Sequence, residues 1–249
     1  PYRIHYEWQD VTQATAKGEF DYPRAVKGGL NVPFMSIYTP AGSEYDGSAY
    51  ALANTLIDQV EAIAARAPDK FAIATSTRDV EKQFREGKLS LALGMENGAP
   101  IQGSLEKLRH FHARGVRYIT LAHSDSNHIS DSSYDQVRLW QGLCPFGREV
   151  VAEMNRLGVM VDISHLSDKA AYEVLALSKA PVIASHSSAR HFVTNEPVFE
   201  RNMDDELIKA LAAKGGVIMI NFGSSFVTTA ANEYRNRYRP AAAAYAQRH

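Results

Sequence analysis

Four short apolar runs each stop at a residue able to hold a metal: LSLALGM at Glu96, RYITLA at His123, VMVDIS at His165 and PVIAS at His186. A helix-like stretch follows each run. Such alternation argues for parallel strands joined by helical crossovers. Residues at the C-terminal ends of parallel strands gather on one rim, and in a (β/α)8 barrel that rim carries the active site. One carboxylate and three imidazoles there point to a hydrolytic metal centre.

The rest of the chain keeps this rhythm. Strands are expected at Gly28–Tyr38, Leu89–Met95, Val116–Leu121, Val159–Ile163, Val182–Ala184 and Val217–Ile220, with a shorter one at Phe71–Thr75. We count six main strands, not the eight of a closed barrel. Helices are expected over Glu44–Arg66, where Leu52, Leu56, Ile57, Val60 and Ile63 recur at helical spacing, and from a Thr77 cap to Glu86. Others run from a Ser104 cap to Arg114, from Pro145 through PFGREVVAEMNRL, and over Asp168–Ser178 and Asp204–Lys214. A polar loop of about twenty residues after Leu121 exceeds an ordinary βα connection and reads as a lid or site-lining segment. No repeat or linker divides the chain, so residues 1–249 read as a single barrel domain.

At 249 residues and 45% hydrophobic, the chain can bury a large core. A net charge of −1 gives no global electrostatic case for nucleic acid or an anionic membrane. Cys144 is the only cysteine, so no internal disulfide can form. No apolar run approaches the roughly 18–20 residues that cross a bilayer. Nor does a leader open the chain at Pro1, so a soluble protein is expected, its compartment (cytoplasmic, periplasmic or exported) left open. The abrupt ends suggest a longer native polypeptide.

Imidazole nitrogen and carboxylate oxygen are the donors zinc takes in catalytic sites that keep a position open for water. His165 and His186 end neighbouring strands and can converge without help from long loops. Glu96 could bridge two metals with its two oxygens, which imidazole cannot do. A single strand-end histidine is more often a hydrogen-bonded structural residue. Three with a glutamate are harder to dismiss, since burying Glu96 without a partner would be costly.

The segments GMENG (94–98), TLAHSDSN (120–127), GLCPFGREVVAEMNRLGVMVDISHLSD (142–168), VIASHSSAR (182–190) and ERNMDDE (200–206) resemble the membrane (renal) dipeptidase family, the M19 metallopeptidases. Agreement spans roughly Gly28 to Phe226. The resemblance implies a (β/α)8 barrel of the metal-dependent hydrolase type, a binuclear zinc site, and cleavage of dipeptides, often with a D-residue at the C-terminal position. It implies that Glu96 bridges both zincs and that His165 and His186 bind one of them. His123 would contact substrate and stabilise the tetrahedral oxyanion rather than serve as a main ligand. Arg201 would grip the dipeptide's C-terminal carboxylate. A metal-bridging hydroxide would attack the peptide carbonyl. The resemblance further suggests a homodimer.

Two family features are missing. The His-x-Asp motif of the first strand, which ligates the second zinc, has no counterpart near Pro1. His123-Ser124-Asp125 has the letters but follows a middle strand, so it is rejected. The last strand's proton-transferring aspartate is also absent before His249. Strands one and eight are therefore expected outside this chain, and this segment alone is expected to be unstable and inactive. Competing readings are a metal-dependent amidohydrolase or lactamase acting on non-peptide amides, and a non-catalytic binding homologue without the first-strand ligands.

Other polar residues are not promoted. His110 and His112 read as helix surface, His128 as solvated loop, and His5, His191 and His249 as lacking convergent partners. Asp162 differs in parity from His165, leaving a supporting or outer-face role as open as a catalytic one. Ser187 and Ser188 have no strand-turn-helix nucleophile context. Cys144 reads as inert packing, and Trp8 and Trp140 as core or cleft walls.

Overall fold

A computed structural model of the chain describes residues 1–193 and 199–246. His249 and the segment 194–198 lie outside the described residues. The chain divides into two compact units, Pro1–Ile119 with Arg156–Val159 and Thr120–Asn155 with Met160–His249.

The first unit is organised on strand β3. Strands β1 (Phe34–Tyr38) and β2 (Phe71–Ala74) both pair with β3 (Leu89–Glu96) in parallel, β2 along its first half and β1 along its second. Strand β4 (Val116–Thr120) is also a neighbour of β3. Seven consecutive residues of β3 are buried before Glu96 emerges half-buried. A continuous apolar run of this kind suits a strand covered on both faces.

Helix Ala49–Arg66 supplies Ala53, Leu56, Ile57, Val60 and Ile63 to the core, the i, i+3, i+4, i+7 face its sequence predicts. Each fully buried Leu or Ile stabilises by about 1.5–3 kcal/mol. Truncating the fully buried Leu56 to Ala would cost about 2–5 kcal/mol. The expected start at Glu44 is not observed. Gly47 takes φ +72° between a short turn of helix, Gly42–Tyr45, and the main helix. Asp46 accepts the Ser48 N–H at 2.8 Å there and ends the first turn.

One further expectation shifts. Ser76, not Thr77, caps helix Thr77–Arg85, accepting the Asp79 N–H at 3.2 Å. β2, four residues long, is the short strand expected at Phe71–Thr75, and with the six main ones it makes seven strands among the described residues. Its FAIA core has four residues, too few for periodicity to show. One glycine is dictated by contact: a Cβ on Gly94 would lie 2.0 Å from the Tyr118 ring.

In the second unit, β5 (Met160–Asp162) pairs in parallel with β6 (Ile183–Ser187) at Asp162 and Ile183. β6 pairs in parallel with β7 (Val217–Ile220). The register jumps between Ala184 and Ser187, so Ser185 and His186 together face a single residue of β7. This is a β-bulge, which breaks side-chain alternation. Helices Asp168–Leu177 and Asp205–Ala213 follow β5 and β6, capped by Ser167 and Asp204. β7 departs from the expectation of a core strand: Val217 and Ile220 are each 54% exposed.

The long loop is ordered by two polar side chains. Asn127 donates to the Leu121 carbonyl at 2.8 Å and accepts the N–H groups of Ile129 and Ser130. Asp131, fully buried, accepts the N–H of Trp140 at 3.0 Å and of Gly142 at 2.9 Å. Asp131, Ser132 and Ser133 pack under the strand-end residue His165, whose carbonyl accepts the Ser133 N–H at 2.7 Å.

Candidate metal centre

Three of the expected histidines meet in the second unit. His165 lies beyond the end of β5 with φ +69°, a left-handed conformation. For a residue with a Cβ this costs about 1–2 kcal/mol. The Ser133 hydrogen bond and the bridge between Ser132 and Leu166 hold it there. Strain kept in place by surrounding structure is typical of functional positions.

The His165 ring is turned toward two others. Its centroid lies 4.0 Å from that of His123, with the rings stacked at 29°. Its Nε2 lies 2.8 Å from Nε2 of His186. Two imidazole nitrogens face one another at this distance only with a proton or a cation between them. Two nitrogens sharing one zinc at ordinary bond lengths would be about 3.3 Å apart, so the pair needs little adjustment to take an ion.

Arg201 joins the same cluster. It sits in the 3-10 turn Phe199–Arg201 and is 5% exposed. Its Nη2 donates to the His186 carbonyl at 2.7 Å and lies 3.3 Å from His165 Nε2. Its guanidinium also stands over the Phe226 ring, 5.4 Å from the centroid. His123 is held from its own loop: Nδ1 pairs with Ser124 Oγ at 2.8 Å, and Ser132 Oγ donates to its carbonyl.

Glu96 belongs to the first unit, at the end of β3 and in register with Tyr38 of β1. Ser36 Oγ donates to its Oε2 at 2.7 Å. Burial pushes the Tyr38 phenol above its ordinary range, and the negative charge of Glu96 adds to the rise.

Asp162 resolves to a supporting position. It is fully buried, and its Oδ1 accepts the N–H of Ser164 at 3.0 Å and of Ser185 at 2.9 Å. Oδ2 accepts the hydroxyls of Thr120 at 2.5 Å and Ser185 at 2.6 Å. Ser185, which the sequence reading did not select, also pairs with His186 Nδ1 at 2.7 Å. Tyr134 was missed as well; its ring centroid is 5.7 Å from that of His165. Alternation could not have found Ser185, because the β6 bulge turns consecutive side chains into one cluster. The Ser in VIASH and the Asp in VDISH are the signals that were available.

Three further histidines have surroundings of their own. His110 Nε2 pairs with Asn54 Oδ1 at 2.8 Å. His112 is pulled below its ordinary range, first by burial and then by the charges of Arg117 and Arg156. His128 departs from the solvated reading. It is half-buried beside Phe146, and its carbonyl accepts the Cys144 thiol at 2.9 Å. Cys144 is buried packing at the start of helix Pro145–Leu157, as expected.

With that arrangement in view, residues 1–243 match the family model of membrane dipeptidases, Peptidase family M19, and the chain belongs to this family. It is 37% identical over 231 residues to dipeptidase tcpJ of Claviceps purpurea (strain 20.1), covering 88% of this chain and 53% of that protein. The crystal structure of the probable dipeptidase PvdM from Pseudomonas aeruginosa superposes with a TM-score of 0.77 at 29% identity, covering 84% of this chain and 55% of that one. The dipeptidase AC, a metallopeptidase of family M19, gives a TM-score of 0.82 at 25% identity over 92% of this chain and 71% of that one. The fold is thus the α/β barrel type expected from the strand-end pattern. The chain spans about half the length of the curated relatives it matches. Membership of this family and the imidazole cluster support a metal cofactor. Among the described residues no helix is long and apolar enough to cross a membrane.

Proposed function

We propose that the protein carrying this chain is a zinc-dependent dipeptidase. The observation that carries the reading is the facing pair of Nε2 atoms on His165 and His186, 2.8 Å apart, with the His123 ring stacked on one of them. Glu96, His165 and His186 are the ligands this chain would contribute, Glu96 with two carboxylate oxygens to offer. Imidazole and carboxylate are the donor set zinc takes where it must also leave room for water. Bound there, zinc supplies a nucleophile from water near neutral pH and polarises the substrate carbonyl.

The chain's own residues then bind and orient the substrate. Arg201 presents a planar guanidinium suited to the C-terminal carboxylate of a free dipeptide. Its backbone-carbonyl bond to His186 fixes that guanidinium beside the imidazole pair. His123, its Nδ1 engaged by Ser124, directs the opposite edge of its ring toward the oxyanion that forms during attack. Ser36 holds one oxygen of Glu96 and so limits rotation of that carboxylate. A dipeptide is the substrate, with L,L- and L,D-forms both to be assayed, and a homodimer is the expected assembly.

Metal analysis of the full-length protein, paired with turnover of L,L- and L,D-dipeptides, tests this. Bound zinc, turnover of a dipeptide, loss with a chelator and recovery with added zinc are expected. Hydrolysis of cyclic amides with no action on dipeptides would favour the amidohydrolase alternative. Protein that binds no metal and turns over neither class would leave the binding-homologue reading.

A further inference from the structure

Ser185 and Asp162 hold a second layer of polar contacts behind the imidazole cluster. The bulge in β6 is what makes it possible: Ser185 and His186 are consecutive, yet Ser185 reaches Asp162 while His186 reaches His165. In regular alternation one of them would face away.

Counting protons fixes the direction of these bonds. A carboxylate only accepts, and a serine hydroxyl has one hydrogen to give. Asp162 already takes two backbone N–H groups on Oδ1 and the Thr120 hydroxyl on Oδ2. With Ser185 Oγ at 2.6 Å from Oδ2 of the fully buried Asp162, the serine proton must lie between them; otherwise two oxygen lone pairs would face at contact distance. Ser185 Oγ then has no proton left for the ring at 2.7 Å, and must accept from Nδ1–H of His186. A neutral imidazole protonated at Nδ1 carries its lone pair on Nε2, the atom aimed at His165.

We infer that Ser185, anchored by Asp162, is a positioning residue that holds His186 in the Nδ1–H tautomer and so keeps Nε2 ready for metal. The His186 backbone is fixed in support: its N–H donates to Ser164 Oγ at 3.1 Å and its carbonyl accepts from Arg201. The inference rests on reading His186 as a metal ligand, and the experiment separates the two.

Zinc is titrated by calorimetry, against a competing chelator, into metal-free full-length protein of wild type, Ser185→Ala, Ser185→Thr and His186→Ala, with melting curves as a check on folding. Partners of a ligating histidine typically change metal affinity about 10- to 100-fold when removed. Ser185→Ala is expected to weaken zinc binding by that factor, and Ser185→Thr, which keeps the hydroxyl, to restore it. Ser185→Ala binding within twofold of wild type while His186→Ala binds poorly would overturn the positioning role alone. Full affinity in His186→Ala would remove the ligand reading and the inference with it.

Discussion

The rings of His123 and His165 lie 4.0 Å apart, stacked at 29°. His165 turns its Nε2 to His186, and His123 pairs its Nδ1 with Ser124 Oγ. A ring nitrogen of His123 also lies within 4.8 Å of one of His165, near enough to share an ion or to touch substrate beside one.

His123→Ala therefore separates two roles. A loss of one oxyanion donor costs about a hundred- to a thousandfold in rate. We expect kcat to fall by that order while zinc content stays near wild type. Steady-state kinetics and metal analysis on the same preparation read both quantities. Equal loss of zinc would reassign His123 as a ligand.

Arg201→Ala is expected to act on substrate capture, with a complication that the geometry reveals. The guanidinium also holds the His186 carbonyl at 2.7 Å, so truncation loosens a proposed ligand strand as well. A hydrogen bond to a charged group is worth about 1.5–3 kcal/mol, or roughly a 10- to 100-fold rise in KM for dipeptides. Arg201→Lys can retain the charge without the fork and should bind dipeptide weakly too. An unchanged kcat/KM in Arg201→Ala would remove the residue from substrate binding.

The strand ends were readable because apolar runs stop abruptly there and a polar residue follows each. The Ser104 cap was readable from residue type: its Oγ accepts the Lys107 N–H. The bracing of His186 was not. It depends on a register jump in β6 and on a left-handed φ at His165, and neither leaves a mark in apolar periodicity. The break at Gly47 was missed for a related reason. The glycine breaks the helix through its backbone conformation, which apolar spacing does not register.

Gly94 gives a test of packing in the first unit. An added Cβ would meet the Tyr118 ring at 2.0 Å, and Tyr118 is 5% exposed, with little room to swing away. Overpacking of this kind typically costs about 1–3 kcal/mol. Gly94→Ala should lower the urea midpoint accordingly. Removing the obstructing ring should relieve the clash, so Gly94→Ala with Tyr118→Leu should be less destabilised than the sum of the single variants. Strict additivity would show that the two side chains do not compete for the same space.

Asp21 sets an acid limit on the same unit. It caps helix Tyr22–Lys27 and accepts the N–H groups of Thr15 at 3.0 Å and Arg24 at 2.9 Å. These backbone bonds, with further help from the Arg24 and Thr15 side chains, pull its carboxyl down to about 2. A carboxyl lowered on folding stabilises the folded state above its unfolded pKa, near 4, and that contribution fades as the pH falls toward 2. Wild type should therefore exceed Asp21→Asn in urea midpoint at pH 7, and the gap should shrink steadily between about pH 4 and pH 2. A gap that stays constant through this window would mean that Asp21 acts through packing or hydrogen-bond shape rather than through its charge.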